Sequence, residues 1–173
     1  MQPKIISGLF KQVETLLAQP QPLEPVLHAV LKHFSSETGT LHRLDAQTQL
    51  LHLVAQAGLP PQLLDVVKTI PVGKGIAGQT VAQNRPVTIC NLQTDTSGVA
   101  RPGAKQTGVG GALCVPVRHG DVVVGTLGIG TVRPHEYTPE ETRALEEIGR
   151  QIGAAKIFSK QASGRLAAGR CRN

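Results

Sequence analysis

Apolar residues recur at threes and fours over residues 3–19, with Ile5, Ile6, Leu9, Phe10, Val13, Leu16 and Leu17 on one stripe. That spacing predicts an amphipathic helix. Pro20 and Pro22 stop it, since proline has no amide proton and clashes with the preceding turn. A second stripe over 23–37, built on Leu23, Val26, Leu27, Val30, Leu31 and Phe34, predicts a second helix that Gly39 ends. The period then changes. Residues 40–43 and 50–55 read as two strands joined across the turn material of 45–48.

Gly58, Pro60 and Pro61 break the second strand, and residues 63–67 read as a short helix. A strand is expected at 69–72, a glycine turn after it, a helix at 75–84 and a strand at 87–91. Asn84 suits the end of that helix because it tolerates the left-handed conformation. Residues 92–110 are polar, glycine-rich and without period. A loop of this length inside a domain is commonly functional or mobile. Residues 112–117 and 122–129 flank Arg118-His119-Gly120-Asp121 and form the clearest hairpin of the sequence. Thr138, Pro139 and Glu141 make a helix start with a capping box. The last helix is expected over 139–160, with Leu145, Ile148, Ile152 and Ala155 at core spacing. Helices at both ends of an antiparallel sheet predict an α+β domain.

The chain has 173 residues, which is one domain of ordinary size. It carries 18 basic and 12 acidic residues. Five of the basic ones lie from Lys156 onward, where there is no acidic residue, so the rest is nearly neutral. The tail is read as a solvated end, and a nucleic-acid partner is not expected. Three Phe, one Tyr and no Trp leave little for a base-stacking surface. No apolar run reaches the ~20 residues of a membrane span, and the N-terminus shows no cleavage signature, so no membrane insertion is expected. Cys90, Cys114 and Cys171 form neither a disulfide framework nor a zinc pattern, which fits a reducing cytoplasm.

Two phrases carry a family resemblance. VGKGIAGQTVAQNRPVTICNLQTD (72–95) resembles the glycine turn, short helix, strand and Asp-containing loop of the GAF domain family. GALCVPVRHGDVVVGTLGIGTVRPHEYTPEETRALEEIGRQIGAA (111–155) resembles that family's hairpin, helix start and closing helix. The resemblance covers residues 22–158, leaving an N-terminal helix at 1–21 and a basic tail at 159–173. It implies a central antiparallel sheet of about five to six strands. The terminal helices would pack on one face and a loop and helix crossover on the other.

It also implies a ligand pocket between the sheet and residues 60–110, lined by Ile76, Thr80, Cys90, Asp95, Thr107, Leu113 and Thr126. Apolar walls with a few polar groups suit a small-molecule site. A small organic acid, a small amide or an empty pocket are all compatible. Gly125, Gly128 and Gly130 within a strand mark either a packing bulge or the close approach of a ligand or another backbone.

The remaining chemistry is sparse. Gly73-Lys74-Gly75-Ile76-Ala77-Gly78 lacks the spacing of a phosphate loop and reads as a structural turn. The resemblance extends to one enzymatic branch, the free methionine sulfoxide reductases, which need reactive thiolates. A cysteine of that branch stands where this chain has Ala77, and another lies in the loop that here, at 92–110, contains none. Cys90 and Cys114 fall in predicted strands as small hydrophobes. His28, His33, His42, His52, His119 and His135 make no metal motif and read as surface or satisfied histidines.

No haem, bilin or cyclic-nucleotide pattern is recognisable, so no cofactor is expected. The expectation is a non-enzymatic, cytoplasmic sensor that binds a small molecule, forms a homodimer and acts on a signalling output protein. A ligand-free scaffold module and a reductase-like enzyme stand as alternatives.

Overall fold

Helix α1 (Pro3–Leu17) and helix α2 (Leu23–Phe34) form where the apolar stripes run at helical spacing. The computed structural model that shows them describes residues 3–100 and 102–159; the basic tail expected at 159–173 lies outside them but for Ser159. Helix α2 stops before residue 37, and Gly39 is not its terminator. Ser35 takes the left-handed conformation (φ 49°) and donates its N–H to the Leu31 carbonyl, which closes the helix.

Strand β1 (Thr38–Asp45) therefore begins earlier than its apolar residues indicate and pairs with β2 (Leu50–Ala57). The Asp45 carboxylate accepts the N–H groups of Gln47 and Thr48 and shapes the turn between them. Next come α3 (Leu64–Val67), β3 (Thr69–Pro71), α4 (Gly75–Gln83) and β4 (Val87–Ile89). Strand β4 ends before residue 91, so Cys90 lies outside the strand and is exposed. The long loop contains a 3-10 turn over Pro102–Thr107, which the lack of apolar period concealed.

The hairpin of β5 (Ala112–His119) and β6 (Val122–Gly130) forms as expected. Helix α5 (Pro139–Ala154) begins at the Thr138 capping box. It does not run to 160: Ala155 is extended (ψ 136°), and a short α6 (Lys156–Ser159) follows.

The six strands form one antiparallel sheet in the order β3-β2-β1-β6-β5-β4, with three-residue strands at both edges. Helices α1, α2 and α5 cover one face, where Val13, Leu27, Val30, Leu41, Val115, Leu127, Leu145 and Ile148 close the main core. Each such fully buried aliphatic side chain stabilises the fold by about 1.5–3 kcal/mol. Helix α4 and the crossover lie over the opposite face, against β5 and β6. A smaller core of Ile89, Leu92, Val109 and Ala112 anchors both ends of the long loop there.

Candidate functional site

The strand register sets three rows on the sheet face beneath a pocket, and of the third row only His42 reaches the lining. Thr38 aligns with Gly130 and Ala112, Thr40 with Gly128 and Cys114, and His42 with Thr126 and Pro116. Alternation turns these residues away from the main core, since Leu41, Leu127 and Val115 point into it. Glycine at the centre of two rows leaves a hollow in the sheet. A cavity of about 170 Å³ lies over it, roofed by Gly75, Ile76 and Ala77 of α4, by Leu63, Val66 and Val67, and by Gly103, Ala104 and Thr107 of the loop.

Local geometry places this roof. The amide of Gly73 bonds the Gly78 carbonyl at 2.9 Å, and the amide of Lys74 bonds that of Pro71 at 3.1 Å. The turn folds back so tightly that a Cβ on Gly78 would fall on the Pro71 carbonyl oxygen. The glycines after Val72 thus set the start of α4 against β3. Of the strand glycines, Gly128 and Gly130 open the floor. Gly125 instead faces Phe158 on the core side, beside a register shift in the β5–β6 ladder.

Of the residues proposed for the site, Ile76 and Thr107 line the cavity. The Thr107 hydroxyl is engaged locally, donating to the Ala104 carbonyl at 2.6 Å. Leu113 borders the cavity, but its side chain belongs to the main core; its neighbour Cys114 faces the floor. Thr80 and Thr126 are fully buried beside Cys114 and are not among the lining residues. The Thr80 hydroxyl donates to the Ile76 carbonyl at 2.9 Å. Cys90 and Asp95 are not among the lining residues. The Asp95 carboxylate instead accepts the Ser97 hydroxyl at 2.8 Å.

The sequence reading missed His42, Thr38 and Thr40. His42 is neither at the surface nor fully satisfied. It is 1% exposed, and its Nε2 lies 2.8 Å from the Val67 carbonyl oxygen. A carbonyl only accepts, so Nε2 carries the proton. Burial pushes the imidazole below its ordinary pKa; the bond to Val67 works the other way, and nearby His52 adds to the lowering. The ring is therefore neutral near pH 7, and Nδ1 is an acceptor, buried without a partner. The usable signal was the two-residue alternation of Thr38, Thr40 and His42 with Gly39 and Leu41.

Cys114 is fully buried, and desolvation pushes its thiol up to about 11, partly offset by the hydroxyls of Thr80 and Thr126. Among the described residues no cluster of three or more His, Cys, Asp or Glu could hold a metal ion.

Helix α4 is tied to the opposite layer at its far end. Arg118 of β5 donates to the side chain and the carbonyl of Asn84, which caps α4, and also to Glu146 of α5 at 3.3 Å.

The profile described as GAF domain matches residues 23–155. No curated protein matches the sequence. The fold is similar to the GAF domain of the Acinetobacter phosphoenolpyruvate-protein phosphotransferase, with 19% identity, 96% of this chain and 99% of that one covered, and a TM-score of 0.78. It is also similar to the free methionine-R-sulfoxide reductase of Neisseria meningitidis, solved in complex with its substrate. There the identity is 17%, the coverage 94% and 95%, and the TM-score 0.75. The corresponding phosphotransferase domain of Coxiella burnetii is 19% identical, with 92% and 94% covered and a TM-score of 0.74.

Proposed function

This chain belongs to the GAF domain family, and we propose that it is a non-enzymatic sensor that binds a small molecule in the cavity between its sheet and α4. The family is one of sensory and regulatory domains in general. The cavity carries the finer reading: a hollow of about 170 Å³ roofed by the start of α4 and the long loop. A ligand seated there would bridge sheet, helix and loop. It would order residues 92–110 and shift the terminal helices by population shift. Arg118 supports the second half of this reading, because it joins the cap of α4 to α5.

The two described thiols support the non-enzymatic half. Attack on a sulfoxide needs a thiolate. Cys114 borders the cavity with its thiol pushed up to about 11, and exposed Cys90 is not among the lining residues. Free thiols also suit a reducing cytoplasm. The homodimer and the output protein belong to the same proposal. Helices α1 and α5 pack against each other on the outer layer, where a displacement could be passed to a second copy or a partner.

Native mass spectrometry of the purified chain, compared with its denatured mass, tests the reading. Non-covalent extra mass is expected, and it should disappear from a Gly128→Leu variant whose side chain fills the hollow. A bare chain whose melting temperature no metabolite raises would transfer the reading to a scaffold module. Light scattering on the same sample reads the oligomeric state.

A further inference from the structure

We propose that the ligand of this pocket is an uncharged, mainly apolar molecule that donates one O–H or N–H to Nδ1 of His42. The inference rests on the reading of the cavity as a binding site and names the class of molecule that fits it.

Three observations carry it. The described lining contains no Lys, Arg, Asp or Glu. A full charge placed there would lose its hydration with no ionic partner among those residues. The threonine hydroxyls are partly committed, Thr38 to the Gly130 carbonyl and Thr107 to that of Ala104. His42 is different. It lines the cavity, its Nε2–H is spent on Val67, and its Nδ1 lone pair is buried without a partner. Such an acceptor costs free energy until a donor reaches it. A carboxylate or an ether oxygen cannot satisfy it, because neither donates.

The volume bounds the ligand's size. An engineered apolar cavity of about 150 Å³ takes benzene, so about 170 Å³ corresponds to roughly six to ten non-hydrogen atoms.

Three probes of similar size separate the terms: phenol, its isostere toluene, and benzoate. Their affinities for the full chain are read by calorimetry. The ¹⁵N resonance of His42 Nδ1 is read on protein labelled in its imidazoles, assigned by its loss from a His42→Gln variant. Phenol is expected to bind about five- to tenfold more tightly than toluene, with benzoate below detection and the Nδ1 resonance moving with phenol alone. Toluene is the more hydrophobic probe, so an unpaired O–H would make phenol the weaker ligand.

In His42→Leu the preference should vanish while toluene still binds. If that variant does not fold, the ¹⁵N shift in the unaltered chain decides. Equal binding of phenol and toluene with Nδ1 unmoved overturns the donor assignment and leaves the sensor reading standing. Tightest binding by benzoate overturns the uncharged class. Failure of all three to bind overturns this inference, while the sensor reading falls only if the native mass spectrum is bare as well.

Discussion

Arg118 grips Asn84 twice: Nε donates to the side-chain oxygen at 3.0 Å and Nη2 to the backbone carbonyl at 2.9 Å. Asn84 is the left-handed cap of α4 (φ 48°), so the guanidinium holds the end of the helix whose beginning roofs the cavity. The third bond, to Glu146, reaches α5 across the edge of the sheet. Lysine cannot reproduce this fork. Arg118→Lys is expected to cost about 1–2 kcal/mol, read as a lower midpoint in urea. It should also uncouple the layers, so that phenol protects residues 92–110 from hydrogen exchange without altering α5. An α5 response equal to that of the unaltered chain would remove Arg118 from the relay.

The two kinds of strand glycine should respond oppositely to alanine. A Cβ on Gly128 would sit 3.1 Å from Thr40 Oγ1 and 3.7 Å from Cys114 Sγ, inside the cavity. Gly128→Ala is expected to raise stability by about 0.5–1 kcal/mol through the lower entropy of the unfolded chain, while weakening phenol. Gly125→Ala would drive its Cβ onto the His42 carbonyl oxygen and the Phe158 ring. It is expected to cost about 2–3 kcal/mol. Thermal melts of both variants check the sign.

Thiol labelling should separate the two described cysteines. Iodoacetamide at a pH of about 8 is expected to modify Cys90, which is exposed, and to spare Cys114 until denaturant is added. Peptide mapping resolves the sites. Labelling of Cys114 at the rate of Cys90 would revive thiol chemistry in the pocket.

Acid should destabilise the fold earlier than its carboxylates alone require. Burial lowers the folded-state pKa of His42, and more simply of His33, below the ordinary 6.5. As pH falls, the unfolded chain takes up these protons first. The associated stability is therefore full above pH 6.5 and is lost as pH drops through the lowered folded values. Melting temperature should decline below pH 6.5, and His42→Gln should flatten part of that decline. A variant profile parallel to that of the unaltered chain would show that His42 is not responsible.

Local signals were legible where one residue decides a conformation. Asn84 ends α4, and Thr138 with Glu141 starts α5, because cap chemistry acts within a few residues. The breaks at Ser35 and Ala155 were less legible: serine seldom takes the left-handed conformation Ser35 has here, and alanine favours continuing a helix.

In the candidate site, Ile76 and Thr107 could be placed from the order of elements. The choice of Leu113 over Cys114 was a matter of phase: a strand residue and its neighbour face opposite layers, and only pairing with β6 shows which layer is which. His42 was hidden for a related reason. A polar residue in an outer strand meets water, whereas β1 is interior to the sheet and covered on both faces, a fact of topology rather than of local sequence.

The brevity of β3 and β4 governs how copies of this chain can meet. An open sheet invites another chain to extend its ladder, the route to fibrous aggregation. Each rim here offers three residues, and on one of them Pro71 has no N–H to give. The backbone template is too short to recruit a neighbouring strand. Among the described residues, any association of copies would then rest on side chains of the helices and loops, whose complementarity can be specific and reversible.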